Sequence, residues 1–368
     1  MLGVKKKLGF GLMRLPKNGD VIDVEQTKVM VDKFLEAGFT YFDTAWAYQG
    51  SEDAIRQALV ERYPRESYTL ATKLAAWLGE QTKEAAEAQF ETSLQRTGAG
   101  YFDFYLLHNL GKDHTHFFDD FGLWDFVKQK KEEGKIRHYG FSFHSTPDEL
   151  EAILKAHPDA EFVQLQVNYA DWEDKDVQAK ANIEVCRKYG KPVVVMEPVK
   201  GGLLATPPEA ITKILKEAEP ESSPASWAIR FAADIDQVMV VLSGMSNVEQ
   251  MEDNIATMKD FQGLTDGQKA VIQAARDELA KIPLIQCTAC NYCAEVCPNN
   301  IGISDTFKIC NSYALYQNLE HSKGRFGMLT RSGKALPSEC VQCGACEGVC
   351  PQHLPIRDLL QKAAETFL

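Results

Sequence analysis

The chain has 368 residues and a mass of 41.1 kDa, which suits one large α/β domain with a small appendage or two medium domains. Fifty-two acidic side chains against forty basic ones give a formal charge of −12, which argues against nucleic acid as a partner. Because no apolar run reaches the roughly 18 residues of a membrane span and the amino terminus lacks the apolar centre of a signal peptide, we expect a cytoplasmic protein without a membrane partner.

Short β-like runs alternate with helical stretches over residues 8–258, and this alternation predicts a parallel sheet. The eight predicted strands are residues 10–15, 40–44, 68–73, 102–108, 138–143, 162–168, 193–197 and 238–243. Eight strands with intervening helices in about 260 residues predict an α/β fold of the (β/α)8 TIM barrel type. An open doubly wound sheet is the alternative, but the Gly-x-Gly-x-x-Gly turn of its dinucleotide-binding form is missing.

Ionisable side chains close three consecutive predicted strands or follow them closely. Asp43 lies at the end of the second strand and Tyr48 in the loop beyond it, Lys73 closes the third strand, and His108 closes the fourth. Taken singly, each has a plain structural explanation, such as a loop cap, a half-buried aromatic or a core histidine. Since the carboxyl ends of barrel strands share one mouth, the set of four favours an active site there.

The phrases around these side chains resemble the aldo/keto reductase superfamily. They are Phe42-Asp43-Thr44-Ala45 with Tyr48, Ala71-Thr72-Lys73, and Tyr105-Leu106-Leu107-His108. The resemblance implies a barrel that reduces carbonyl groups, which requires a hydride at carbon and a proton at the developing alkoxide. A free phenol has a pKa of about 10, so we hypothesise that Lys73, paired with Asp43, favours ionisation of Tyr48 and tunes it as the general acid. His108 then donates a hydrogen bond to the substrate oxygen.

The same resemblance implies an extended nicotinamide dinucleotide held without a glycine-rich turn. The residues expected to contact it are Ser142, Gln164, Met196, Gly244, Ser246, Gln250 and Asn254. Three departures from many relatives stand out: Phe143 replaces an Asn, Met196 replaces an aromatic that stacks on nicotinamide, and Gly244 with Gln250 replaces a basic pair for the 2′-phosphate. The cofactor expected in the barrel is therefore either NAD(P)H or a flavin.

Eight of the ten cysteines fall in two runs of the form Cys-x2-Cys-x2-Cys-x3-Cys-Pro. This spacing predicts two [4Fe–4S] clusters, and in two-cluster ferredoxins the fourth Cys of each run ligates the other cluster. The first cluster is expected on Cys287, Cys290, Cys293 and Cys350, and the second on Cys340, Cys343, Cys346 and Cys297. Zinc is the alternative, although tetrahedral zinc sites rarely use the doubled motif. Cys186 and Cys310 have no partner at ligand spacing and are expected to be packing residues.

We expect a barrel domain at residues 1–281 and a small, mainly helical dicluster ferredoxin-like domain at residues 282–368. A barrel that moves hydride, joined to clusters that move single electrons, predicts an iron–sulfur oxidoreductase acting on a small carbonyl or alcohol, with a flavin as the natural converter. A ferredoxin or flavodoxin-type carrier is then the expected partner. The alternatives are a conventional NAD(P)H-dependent reductase with structural or regulatory clusters, and a non-enzymatic electron-transfer module.

Overall fold

The computed structural model describes residues 2–175, 177–287, 289–350 and 352–368. The chain divides into two compact units, one of residues up to 205 together with 219–272, and one of residues 206–218 together with 273–368. The second unit thus takes in a helix that follows the seventh barrel strand in the sequence. The expected boundary between residues 281 and 282 stays a prediction.

Within the described residues of the first unit, eight parallel strands form a closed barrel. They are β1 Leu8–Gly11, β2 Tyr41–Asp43, β3 Thr69–Leu74, β4 Phe102–Leu110, β5 Ile136–Phe143, β6 Val163–Gln166, β7 Val193–Met196 and β8 Val238–Ser243. Each strand pairs with the next in the chain, and β8 pairs with β1, so the sheet has no free edge. The predicted (β/α)8 barrel is therefore confirmed over the open sheet.

The first strand differs from its prediction, because it covers Leu8–Gly11 and the following Leu12–Arg14 form a 3-10 turn. The structure thus adds Leu8 and Gly9 to the start of the strand and removes residues 12–15 from its end. A Cβ at Gly9 would lie only 2.7 Å from Cγ1 of Val240, so the close approach of β1 to its neighbour requires glycine here.

The helices alternate with the barrel strands and continue into the second unit. In chain order they are α1 Val24–Glu36, α2 Ser51–Ile55, α3 Lys83–Thr97, α4 Thr115–Asp120, α5 Leu123–Glu132, α6 Pro147–Ala156, α7 Ala179–Lys188, α8 Glu209–Ala218, α9 Pro224–Ala233, α10 Val248–Met258, α11 Asp266–Ala280, α12 Tyr292–Glu295, α13 Ile303–Tyr316, α14 Leu319–Arg331, α15 Ala345–Gly348 and α16 Ile356–Phe367. In the described part of the chain, none of them is long and apolar enough to cross a membrane.

Side-chain alternation along β2 shows how the barrel is filled on both of its surfaces. Phe42 points outward and packs against Phe34 of α1, with ring centroids 5.3 Å apart. Its neighbour Tyr41 points inward and packs against Phe104 of β4 at 5.2 Å. Successive strand residues face opposite sides of the sheet, so the inward side chains fill the interior of the barrel and the outward ones pack against the helices.

The second unit is mainly helical, as predicted, and its described residues include two small apolar cores. One contains Ile301, Ile303, Phe307 and Leu360 and packs against the cysteines of both runs. The other contains Ile309, Phe326, Leu329, Ala363 and Phe367 and joins α13, α14 and α16. Small cores of this kind are common in domains that metal groups help to hold together.

Candidate functional site

A cavity of about 810 Å³ opens at the carboxyl ends of the barrel strands. Cavities of this size hold cofactors and small ligands, and in TIM barrels they lie at this face. Asp43, Tyr48 and His108 line the cavity, and Lys73 lies fully buried directly behind Asp43. The structure therefore brings all four predicted catalytic side chains together.

Lys73 is held by two oxygens of the β2 end. Its Nζ forms an ion pair with Oδ1 of Asp43 and donates to the carbonyl oxygen of Thr44 at 2.7 Å. The other carboxylate oxygen of Asp43 accepts from Nε2 of Gln164 at 3.3 Å. The same ammonium lies 4.8 Å from the centroid of the Tyr48 ring. The Asp43 carboxylate thus fixes a cation beside the phenol.

Two opposing effects act on the phenol of Tyr48. Burial raises its pKa, while the positive charge of Lys73 and a hydrogen bond with it lower the pKa, and the net direction is upward. Burial by itself lowers the pKa of Lys73, but the charges of Asp43 and Tyr48 outweigh burial and raise it. Lys73 therefore stays protonated. Its charge lowers the pKa of Tyr48, as hypothesised, but burial raises that pKa by more.

His108 is positioned by an irregularity in β4. Asn109 has a left-handed φ of +65°, and its backbone N–H donates to Oγ of Ser142 at 2.7 Å. The β4–β5 pairing shifts register between Leu107 and Leu110, which is where this bulge lies. The imidazole then meets the Tyr48 ring edge-on, with centroids 5.8 Å apart.

The imidazole of His108 is held in its neutral form. Burial, followed by the nearby charge of Lys73, lowers its pKa well below the ordinary value. Its Nδ1 is buried and has no hydrogen-bond partner among the described residues. A neutral imidazole carries one N–H donor, so His108 can donate to an oxygen in the cavity without bringing a second cation next to Lys73.

The expected cofactor contacts fall into two groups. Those that line the cavity are Gln164, Met196, Gly244, Ser246, Gln250 and Asn254. Ser142 instead lies behind the lining, where its hydroxyl is bonded to Asn109 N–H. Phe143 belongs to the core between barrel and helices and is not among the residues that line the cavity. The roles of these residues stay predictions.

The backbone N–H groups at the start of α10 already have hydrogen-bond partners among nearby side chains. The backbone N–H of Ser246 donates to Oε1 of Gln250 at 2.7 Å, and the N–H of Gln250 donates to Oδ1 of Asn247 at 2.9 Å. Nδ2 of Asn254 donates to Oγ of Ser243 at 2.7 Å. These groups shape the cavity wall, but the backbone N–H groups of Ser246 and Gln250 are already hydrogen-bonded to nearby side chains.

Sequence reasoning missed four polar residues of the cavity: Arg14, Asn109, Glu197 and Asp253. Arg14 lies one residue before the carboxyl end of the first predicted strand, and that position was a signal that it could reach the mouth. Asn109 and Glu197 directly follow predicted site residues or strand ends, and both have positive φ values. Their position directly after predicted site residues could have indicated that the chain turns there and brings both side chains to the cavity.

The cysteines line two small cavities in the second unit. One is lined by Cys287, Cys290, Cys293 and Cys350, and the other by Cys297, Cys340, Cys343 and Cys346. In the described residues, no three His, Cys, Asp or Glu side chains converge as ligands of a single metal ion. A [4Fe–4S] cube binds each thiolate through a different iron, so its four cysteines stand farther apart than those around one zinc ion. The donor sets fit the cube.

Comparisons with known proteins agree with this architecture. Residues 7–277 match the model of the aldo/keto reductase family, and residues 267–354 match that of the 4Fe-4S dicluster domain. One aldo-keto reductase of Mycolicibacterium smegmatis is 29% identical over 202 residues, covering 54% of this chain and 69% of its own length. Another from the same organism is 30% identical over 264 residues, covering 68% and 86%. The holo form of an aldo-keto reductase from Bacillus halodurans is similar in structure, with a TM-score of 0.60, 26% identity and coverage of 73% and 91%.

Proposed function

The chain belongs to the aldo/keto reductase family, and on that premise we propose that it reduces a small carbonyl compound, or oxidises the corresponding alcohol, with electrons passing through two [4Fe–4S] clusters. It is an oxidoreductase. The coupling of the barrel to the clusters is the new part of the proposal. We place this activity in the cytoplasm, where cysteine thiols stay reduced.

The observation that carries the proposal is the grouping of Asp43, Tyr48, Lys73 and His108 at one cavity. When bound, NAD(P)H or a flavin supplies the hydride. Tyr48 supplies the proton to the carbonyl oxygen, and Lys73 stabilises the phenolate that remains. His108, being neutral, donates a hydrogen bond to the same oxygen and orients the substrate. Asp43 keeps Lys73 charged and in place.

The two cysteine cavities support a crossed arrangement of the clusters. Each cavity takes three cysteines from one run and the fourth from the other. This pattern is the ligation expected of two-cluster ferredoxins. We therefore propose Cys287, Cys290, Cys293 and Cys350 for one cluster and Cys297, Cys340, Cys343 and Cys346 for the second, within a domain of residues 282–368 that follows a barrel domain of residues 1–281.

A flavin is the favoured barrel cofactor because clusters exchange single electrons and nicotinamide exchanges hydride. Met196 lines the cavity in place of the stacking aromatic, which suits a ring system other than nicotinamide. An external ferredoxin or flavodoxin-type carrier would then deliver the electrons. A conventional NAD(P)H-dependent reductase is the second candidate, and it is favoured by Gln164, which lines the cavity where the family resemblance implies a contact to the nicotinamide carboxamide.

The experiment that separates the two candidates is a cofactor analysis of anaerobically purified protein. The organic cofactor is released by acid and identified by absorbance, iron and sulfide are counted, and turnover of aldehydes and ketones is measured. A flavin with about eight irons supports electron flow through the clusters. Nicotinamide at the same iron count, with turnover that needs no one-electron donor, supports the conventional reductase. An iron-free protein that turns over no carbonyl contradicts both.

A further inference from the structure

We propose that the outward side of α14 docks a small acidic protein that delivers electrons, one at a time, to the cysteine-ligated centre beside it. The inference rests on the proposed function, because it takes the external carrier proposed there and assigns it a docking site on this chain. The site is the α14 basic surface, which consists of Lys323, Arg325, Arg331 and Lys334.

The α14 basic surface has the opposite charge to the chain as a whole. α14 and the three residues that follow it contain four Lys or Arg and one Glu, whereas the chain has a formal charge of −12. Lys323, Arg325 and Arg331 are exposed, and in the described structure none of them pairs with a carboxylate. Arg357, by contrast, forms an ion pair with Glu347 at 2.8 Å. Unpaired charge of one sign attracts a partner of the opposite sign.

Stabilisation of the helix explains only part of this charge. A basic side chain in the last turn interacts favourably with the helix dipole, and Arg331 lies there. Lys323 and Arg325 lie in the first half of α14, where a positive charge gains nothing from the dipole. Their presence on the helix therefore favours a role outside the fold.

The outward side of α14 is open to close approach. The buried residues Ser322, Phe326 and Leu329 lie on one side of the helix. Gly324 and Gly327 lie on the other side, and a Cβ at either position would meet nothing within 4 Å. A glycine inside a helix costs about 1 kcal/mol relative to alanine, and neither packing nor a positive φ requires glycine here. The missing side chains allow a partner to approach the helix backbone.

An exposed apolar side chain lies among the basic ones. Met328 is 63% exposed on the outward side of α14, and Val341, which lines the same small cavity as Cys340 and Cys343, is 60% exposed. Protein–protein interfaces combine apolar contacts with a polar rim. A helix that lies on a membrane needs a broad apolar face, whereas the large apolar side chains that α14 exposes are Met328 and Leu319. A protein therefore fits this surface better than a lipid bilayer.

Hydrogen bonds join the end of the α14 basic surface to a cysteine loop. Nζ of Lys334 donates to Oδ1 of Asn300 at 3.1 Å, and Nδ2 of Asn300 donates to the carbonyl oxygen of Gly333 at 3.1 Å. The backbone N–H of Asn300 then donates to the carbonyl oxygen of Cys297 at 3.2 Å. Cys297 lines the cavity of the second cluster. Two hydrogen bonds in series thus connect the basic surface to a residue of that cavity.

A surface of this kind suits a carrier that binds briefly. One electron leaves the reduced carrier and enters one oxidised cluster, with no bond made or broken, so each carbonyl requires two such transfers. Electron-transfer complexes bury little area and dissociate readily, and electrostatic attraction raises their association rate. A small basic surface next to a cysteine loop meets both needs when the carrier is acidic.

The test uses anaerobic full-length holoprotein and two purified acidic carriers, a flavodoxin and a two-cluster ferredoxin. Lys323→Glu/Arg331→Glu reverses the surface charge, and Lys323→Gln/Arg331→Gln removes it. Lys135→Glu/Lys259→Glu is the matched control, because it changes the net charge equally at exposed residues of the first unit. Calorimetry with oxidised carriers measures binding, and stopped-flow absorbance with reduced carriers measures cluster reduction. Photoreduced 5-deazariboflavin, an uncharged donor, reports whether the clusters of each variant still accept electrons.

We expect charge reversal to weaken carrier binding and slow cluster reduction by about 10- to 100-fold at low salt. The Gln variant should lose less, and both losses should shrink in about 0.5 M salt, where surface charges are screened. The control should stay within a factor of about two of the wild type. 5-deazariboflavin should reduce the clusters of all these proteins at the same rate.

Each other outcome overturns the assignment or separates it from the proposed function. Unchanged carrier binding and rates after charge reversal, in a wild type that reduces carbonyls with those carriers, would refute the surface alone. Surface-dependent rates without carbonyl turnover would support the surface and refute the proposed activity. A wild type that binds neither carrier would refute the docking site. Unchanged carrier rates together with lost binding to anionic phospholipid vesicles, or with loss of a dimer in sedimentation, would assign the surface to a membrane or to a second copy of the chain.

Discussion

Lys73 and Asp43 form a fully buried ion pair at adjacent strand ends, with the ammonium placed beside the ring of Tyr48. Burying two charges is costly unless each balances the other. The pair lies at the floor of the cavity, where it keeps a cation next to the phenol of Tyr48, which is expected to donate a proton. We therefore propose that the pair positions a cation for Tyr48 as well as forming a structural contact.

Breaking this pair should destabilise the fold. Lys73→Met leaves the Asp43 carboxylate buried without a cation, and we expect a loss of about 3–5 kcal/mol in the free energy of unfolding. Asp43→Asn should cost a similar amount for the same reason. The double variant Asp43→Asn/Lys73→Met should lose clearly less than the sum, as measured by thermal and urea unfolding. Strictly additive losses would show that the two side chains do not act as a pair.

Tyr48→Phe should remove the proton donor and leave the cavity intact. We expect carbonyl reduction to slow by about 10²- to 10⁴-fold, with cofactor binding within a factor of about two of the wild type. Tyr169→Phe is the matched control, since the Tyr169 hydroxyl is buried without a hydrogen-bond partner in the described structure and does not line the cavity. Steady-state kinetics and cofactor titration measure both effects. Full activity in Tyr48→Phe would remove Tyr48 from the mechanism.

His108 should make the fold less stable in mild acid. Its pKa is lowered in the folded protein by burial and by Lys73, so below the unfolded value of about 6.5 the unfolded chain binds more protons. Stability therefore falls as the pH drops from about 7.5 to about 5.5, and His108→Gln should show a smaller fall over that range. Melting temperatures of both proteins at both pH values measure this, and the clusters contribute equally to each. An equal fall in the two proteins would contradict the lowered pKa.

Crossed cluster ligation predicts which pairs of cysteine substitutions act on one cluster. Cys290→Ala/Cys350→Ala should disrupt a single cluster and leave about four irons, because both side chains line one cavity. Cys290→Ala/Cys297→Ala should disrupt both clusters, because Cys297 lines the other cavity. Cys310→Ala is the control and should keep the full iron content. Iron analysis that finds the reverse pattern for the two double variants would show that each run ligates its own cluster.

The barrel and its four-residue site were predictable because their signals are local. Alternating strands and helices predict a closed parallel sheet, and Asp43, Lys73 and His108 each lie at, or within two residues of, the end of a strand. Strand alternation could also have shown that Ser142 and Phe143 face opposite sides of β5, so that only one of them points inward. The opposite orientations of these two side chains could therefore be predicted from the sequence alone.

Other features depend on contacts that a sequence pattern does not show. Gly9 belongs to β1 because of the close approach of Val240, and Arg14 belongs to the cavity because the chain leaves the strand one turn earlier than predicted. The grouping of α8 with the second unit arises from tertiary packing between segments distant in the sequence. These are long-range effects, and local periodicity carries no information on them.

The most direct test of the central claim is whether electrons held by the clusters reach a carbonyl in the barrel. The clusters of anaerobic protein are reduced, the excess reductant is removed, and aldehydes and ketones are added while the cluster absorbance is followed. Two one-electron clusters together supply the two electrons that one carbonyl needs. The account predicts that the absorbance of oxidised clusters returns as alcohol forms, and that Tyr48→Phe slows both changes by about 10²-fold or more. Clusters that stay reduced while the same protein reduces carbonyls with NADPH would contradict it.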